Sequence, residues 1–179
     1  MKILVADDSR VSRNLIKGIL EEMDFEVLAT EDGLAAWNLW QREEISLLVS
    51  DWIMPELDGL ELCRRVRAAA AQRSGYTYIM MVTAQDGLKN FVTAMAAGAD
   101  DFIVKPFEPE MLRCRVRVAQ RVLAMQHELR ALAAALPFCG ACDSIQTDAA
   151  SQRRLHDFLA SRPELKPVLG TCPTCAAKA

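Results

Sequence analysis

The feature that most constrains this chain is where its polar chemistry falls relative to its apolar runs. Asp7 and Asp8 follow Ile3-Leu4-Val5-Ala6, and Asp51 follows Leu47-Leu48-Val49-Ser50. Thr83 follows Ile79-Met80-Met81-Val82, and Lys105-Pro106 follows Phe102-Ile103-Val104. Short, continuous apolar runs suit strands buried on both faces, as in a parallel sheet. If these strands are neighbours, their polar followers meet at the carboxyl-end edge of the sheet. Open α/β sheets place their ligand sites there. Carboxylates, a hydroxyl and an ammonium gathered at that edge can bind a divalent cation and a phosphoryl group.

The segments between the runs read as helices. Residues 9–23 carry Val11, Leu15, Ile19 and Leu20 at helical spacing, with Ser9 near the start. Residues 34–42 form a helix with Leu34, Trp37 and Leu39 inward. Residues 59–70 carry Leu60, Leu62, Cys63 and Val66, and residues 88–97 end at Gly98. The strands between them are predicted over 2–6, 25–29, 45–50, 76–82 and 101–104. This alternation predicts an α/β fold, a doubly wound five-stranded parallel sheet covered on both faces. The chain is 51% hydrophobic but only 6% aromatic, so its core must be mostly aliphatic.

A fifth helix is predicted from Pro109 to about residue 135, and it carries two stripes. Leu112, Val116, Ala119 and Leu123 suit packing on the sheet. Val118, Val122, Met125, Leu129, Leu132 and Leu136 alternate by four and three, the spacing of a coiled-coil seam. A homodimer through this seam is one expectation; a tail folded back over it is the other.

Charge is uneven along the chain. Residues 1–108 hold 11 basic and 18 acidic side chains, whereas residues 109–136 hold 5 and 2. Arg113, Arg115, Arg117, Arg121 and Arg130 are read as a solvated helix face. No interleaved aromatics or DNA-binding motif accompany them, so nucleic acid is not the expected partner. No apolar run approaches a membrane span, and the first residues enter a strand without a secretory leader. A cytoplasmic location with reduced cysteines is expected.

The acidic constellation identifies a family. The chain resembles the receiver domain of bacterial two-component response regulators over residues 1–122. The elements that carry the resemblance are Asp7-Asp8-Ser9, Asp51-Trp52-Ile53-Met54-Pro55 with Asp58-Gly59, Thr83-Ala84, Ala97-Gly98-Ala99-Asp100-Asp101 and Lys105-Pro106-Phe107. The resemblance implies a flavodoxin-like sheet of order 2-1-3-4-5. It implies that Asp51 accepts a phosphoryl group from a sensor histidine kinase or phosphotransfer protein. Asp8, Asp51 and the backbone carbonyl of Ile53 would bind Mg²⁺ directly, and Asp7 largely through water. Thr83 and Lys105 would contact the phosphoryl group, and the Lys105–Pro106 bond would be cis. Thr83 and Phe102 would form the switch that alters a surface for a downstream protein partner, although plain core packing also suits Phe102. Such a chain catalyses its own phosphorylation and dephosphorylation and is not otherwise an enzyme.

Residues 136–179 are expected to form a small cysteine-rich tail. Cys139-Gly-Ala-Cys142 and Cys172-Pro-Thr-Cys175 flank 29 residues and together offer four thiolates, the donor set of a structural Zn²⁺ site. A tail with so few large apolar residues needs a metal or a docking surface to fold. A dithiol redox switch and an unmetalled docked tail are the alternatives, and His156 could replace a cysteine ligand. Cys63 and Cys114 read as helix-packing residues. The tail is expected to be too short for a diguanylate cyclase, phosphodiesterase or winged-helix output domain. The second functional reading is a metal- or redox-sensing adaptor that uses the receiver as scaffold.

Overall fold

A computed structural model of the protein describes residues 1–70 and 75–135, together with Arg153 and Asp157. Strands and helices alternate through these residues: β1 (Lys2–Ala6), α1 (Arg10–Glu21), β2 (Glu26–Thr30), α2 (Gly33–Arg42), β3 (Leu47–Ser50), α3 (Gly59–Ala70), β4 (Tyr78–Thr83), α4 (Leu88–Ala96), β5 (Asp101–Val104) and α5 (Pro109–Ala135). All strand pairs are parallel, in the order β2-β1-β3-β4-β5. This is the expected flavodoxin-like order. The chain winds from β1 out to β2, then returns past β1 to β3, which opens a crevice between β1 and β3 at the carboxyl edge.

Alternation along the strands divides the core into two layers. On one face Leu4, Ala6, Leu48, Ile79 and Met81 pack with Ala36 and Trp40 of α2, Leu62, Cys63 and Val66 of α3, and Ala94 of α4. On the other face Ile3, Val5, Leu47, Val49, Met80, Val82 and Ile103 pack with Ile16, Ile19 and Leu20 of α1 and with Leu112, Val116 and Ala119 of α5. The inward stripe predicted for the fifth helix is therefore present, with Leu123 packed at its margin.

Two helices turn differently from their sequence pattern. In α1, Val11 and Leu15 are exposed, and the buried stripe is Ile16, Ile19 and Leu20. Each four-residue step overshoots a full turn by about 40°, so a stripe drawn through 11, 15 and 19 drifts off the buried face. In α2, Leu34 is exposed, Trp37 and Leu39 are half-buried, and Ala36 and Trp40 face the core. Trp40 fixes this rotation. Its Nε1–H donates to Thr77 Oγ1 at 3.0 Å, and Thr77 in turn donates to the Ile45 carbonyl at 2.9 Å. Trp37 stacks on Trp40 with centroids 5.3 Å apart.

The amino end of β4 and β5 is tied by charge. Asp100 accepts from Arg67 Nη2 at 2.6 Å, from the Ile79 N–H at 2.7 Å and from the Tyr76 hydroxyl. Arg67 also donates to the carbonyls of Gly98 and Thr77, both at 2.7 Å. These bonds join the end of α3 to the turn before β5.

The chain divides into two compact units, Met1–Gln126 and His127–Ala179. Of the second, the described residues are the end of α5, His127–Ala135, with Arg153 and Asp157. Cys139, Cys142, Cys172, Cys175, His156 and Leu136 lie outside the described residues, as does most of the expected tail. No helix among the described residues is long and apolar enough to cross a membrane.

Asp101, the first residue of β5, generates a pH dependence. It is buried; Oδ1 accepts from the Phe102 N–H at 2.8 Å and pairs with Arg115 at 3.1 Å, while Oδ2 has no partner among the described residues. Burial raises its pKa, and the Phe102 N–H and Arg115 only partly offset this. Between its unfolded and folded pKa the native state therefore holds more proton than the unfolded chain, so this group's contribution improves as pH falls. Urea unfolding of wild type and Asp101→Asn from pH 7 toward pH 4 should show the difference moving in favour of wild type. A difference independent of pH would contradict the raised pKa.

Candidate functional site

The site is built by extending the parallel ladder one residue past each strand. The Asp7 N–H donates to Thr30 O at 3.2 Å, Asp51 N–H to Ala6 O at 2.8 Å, and Lys105 N–H to Thr83 O at 2.8 Å. Main-chain bonds thus place the residues after β1, β3 and β5 in one row along the carboxyl edge.

Asp7 is fully buried. Its Oδ1 accepts from the Ser9 N–H at 2.9 Å; its Oδ2 accepts from Ser12 Oγ at 2.5 Å and from Lys105 Nζ at 2.7 Å. Asp51 Oδ1 accepts from the Trp52 N–H at 2.5 Å, and Oδ2 from the same Lys105 ammonium at 2.5 Å. Lys105 therefore bridges two carboxylates that would otherwise repel. Burial pulls the ammonium's pKa down, but the bonds to Asp51 and Asp7 outweigh it and hold the pKa above its ordinary value. The Lys105–Pro106 peptide is cis.

Asp8 is exposed at the rim. Oxygens of Asp7, Asp8 and Asp51 lie within 4.8 Å of one another, the one such group of three acids, cysteines or histidines among the described residues. Hard carboxylate oxygens, open to water on the Asp8 side, suit a small divalent cation. Ile53 follows in the loop with its side chain exposed, and Trp52 packs on the core beside Asp51. Thr83, at the end of β4, is buried, and its hydroxyl accepts from the Gln85 N–H at 3.2 Å.

The loop after Asp51 returns tightly. The Gly59 N–H donates to Trp52 O at 2.8 Å, and a Cβ at Gly59 would stand 2.0 Å from the Asp51 carbonyl oxygen. Only glycine permits that approach. Asp58 is drawn into α3, where its Oδ1 accepts from the Glu61 N–H at 2.7 Å. It caps a helix and does not join the acidic cluster.

Asp7, Asp8, Asp51 and Lys105 thus converge as the spacing predicted, with Thr83 at the end of the neighbouring strand. Asp100 and Asp101 stand at the opposite end of the sheet. Two side chains on α1 were not singled out from the sequence. Ser12 bonds Asp7, and Arg13 Nη1 donates to the carbonyls of Asp7 at 2.6 Å and Asp8 at 3.3 Å. Their one sequence signal is polar character in the first turn of a helix that follows an acidic loop.

Between β5 and α5, Phe102, Val104, Pro106, Phe107, Met111 and Arg115 line an open groove of about 350 Å³. Phe102 is half-buried and meets Phe91 of α4 edge to face at 6.0 Å. Leu88, Phe91 and Val92 of α4 expose further apolar surface.

Comparison with known proteins agrees with this architecture. Residues 3–117 match the family model described as response regulator receiver domain. The chain is 42% identical over 115 residues to the chemotaxis protein CheY homolog of Campylobacter jejuni, covering 63% of this chain and 87% of that protein. It is 40% identical over 120 residues to the chemotaxis protein CheY1 of Helicobacter pylori, covering 66% and 95%. Among solved structures, the chemotaxis response regulator CheY4 of Vibrio cholerae superposes with a TM-score of 0.61 at 30% identity, covering 66% of this chain and 97% of that one.

The Lys105 bridge can be tested without any ligand. With side chains 18%, 0% and 12% exposed for Lys105, Asp7 and Asp51, removing the cation leaves two carboxylates facing each other largely away from water. Lys105→Met should lower stability by about 2 kcal/mol in chelator, less than a fully buried pair would lose, because the group keeps some solvent contact. Urea unfolding checks this; a change of only a few tenths would show that the ammonium does not hold the acids together.

Proposed function

This chain belongs to the response regulator receiver domain family, and on that premise we propose that it is a phosphoacceptor switch charged at Asp51. The observation that carries the reading is the convergence of Asp7, Asp8, Asp51 and Lys105 at the carboxyl edge of the sheet. A carboxylate oxygen of Asp51 attacks phosphorus. The O–P bond forms as the bond from phosphorus to the histidine nitrogen of a kinase or phosphotransfer protein breaks.

The donor set fits Mg²⁺. Asp8, Asp51 and the Ile53 carbonyl would hold it, with Asp7 acting largely through water. The ion supplies positive charge where a carboxylate meets an anionic phosphoryl group. Lys105 is already within reach of Asp51 and supplies a mobile ammonium for the phosphoryl oxygens. Thr83 offers a hydroxyl one strand away. Its movement toward the modified aspartate would open space for Phe102, shifting the population between two arrangements of the groove and α4. A protein partner of complementary apolar surface would read that change.

Two proposals concern the rest of the chain. Cys139, Cys142, Cys172 and Cys175 hold a structural Zn²⁺ in the tail, residues 136–179. The seam on α5 pairs two copies, a reading supported by the exposure of Val118, Met125 and Leu129.

Incubation with acetyl phosphate and Mg²⁺, followed by intact mass, should show one added phosphoryl group on wild type and none on Asp51→Asn. Circular dichroism should show the fold of the variant intact. Labelling of the variant at the wild-type level would reject Asp51 as acceptor. Metal analysis of purified protein should find one zinc per chain, lost when all four tail cysteines become serine; zinc retained by that variant would remove the tail assignment.

A further inference from the structure

Consecutive side chains on the first turn of α1 reach back into the loop that carries the acids. Ser12 Oγ donates to Asp7 Oδ2 at 2.5 Å, and Arg13 Nη1 spans the carbonyls of Asp7 at 2.6 Å and Asp8 at 3.3 Å. A helical serine commonly returns its hydroxyl to its own backbone. Here the hydroxyl proton goes instead to a buried carboxylate on another element. The Arg13 side chain is 15% exposed, and its second arm stands 3.8 Å from Glu31. Both carbonyls are served by one nitrogen, Nη1, so Arg13 ties the two peptides to a single point.

We propose that Ser12 and Arg13 are positioning residues for the cation pocket, Ser12 by holding the Asp7 carboxylate and Arg13 by holding the peptide carbonyls of the Asp7-Asp8 loop. The inference rests on the phosphoacceptor reading and deepens it. Asp7 Oδ2 has two donors, Ser12 from α1 and Lys105 from the loop after β5. In the proposed chemistry Lys105 is the donor that must leave, because its ammonium is wanted on the phosphoryl group. A fully buried carboxylate oxygen left without a donor is strongly disfavoured. Ser12 keeps Asp7 satisfied and aimed while Lys105 moves. Arg13 acts on the backbone, so the two acids keep their spacing while either side chain changes partners. Such outer partners of metal ligands govern both orientation and affinity.

Magnesium titration of the full chain by calorimetry tests this, alongside acetyl phosphate labelling at graded Mg²⁺. Ser12→Ala should weaken Mg²⁺ binding by on the order of tenfold, the lower range for loss of an outer-shell partner. Ser12→Thr, which keeps the hydroxyl, should restore it. Arg13→Met should also weaken binding, because both carbonyls lose their donor, although a neighbouring positive charge is removed. The labelling rate of Ser12→Ala should return close to wild type at saturating Mg²⁺, the pattern of altered positioning without loss of the nucleophile. If wild type binds Mg²⁺ and both Ser12→Ala and Arg13→Met bind it equally well, the positioning role is overturned and the phosphoacceptor reading stands. If wild type itself neither binds Mg²⁺ nor labels, both fall.

Discussion

The structure depends on the parallel ladder carrying on for one residue past the ends of its strands. Three main-chain bonds, from the N–H groups of Asp7, Asp51 and Lys105, continue the pairing into the loops. A parallel register is pinned by the apolar faces of the strands, because a slip of one residue would turn core side chains outward. The positions of the acids and the lysine are therefore inherited from the hydrophobic core. This is why a site made of loop residues can hold charges within hydrogen-bond distance of one another.

That placement opposes stability locally. Asp7 is fully buried beside Asp51, and two carboxylates in such a setting repel. Lys105 answers both, and the Ser9, Ser12 and Trp52 donors satisfy the remaining oxygen valence. A two-layer aliphatic core lies beneath these charges, and the loop after Asp51 packs closely where Gly59 meets the Asp51 carbonyl. The proposed zinc site and the proposed self-association rest separately on the tail cysteines and the α5 seam.

The opposite edge of the sheet shows the same residue types used otherwise. Asp100 is enclosed by Arg67, Tyr76 and the Ile79 N–H, and joins α3 to β4 and β5. Asp101 keeps one oxygen with no partner among the described residues and an elevated pKa. In sequence the pair belongs to one of the elements that carry the family resemblance. In space the amino end of β5 separates it from the cation pocket, and only the residues at carboxyl ends share chemistry.

Much was legible from the linear pattern. Continuous apolar runs predict strands buried on both faces, and polar residues at their ends predict a shared edge, which is where Asp7, Asp51 and Lys105 stand. The bounds of β1, α3, β5 and α5 agree with the periodicity. What the pattern could not determine is rotation and long-range partnership. The buried face of α1 runs through Ile16, Ile19 and Leu20, and that of α2 through Ala36 and Trp40, because packing on the sheet and the Trp40–Thr77 bond select one rotation among several that the apolar spacing allows. Lys105 meets Asp7 and Asp51 across 98 and 54 residues, and Ser12 and Arg13 gain their role only when α1 is laid against the acidic loop. Sequence by itself determined the elements and the kind of chemistry, since both follow from local composition and spacing. Tertiary structure decided which side chains touch, since contact between distant residues depends on the register of the sheet and the rotation of each helix.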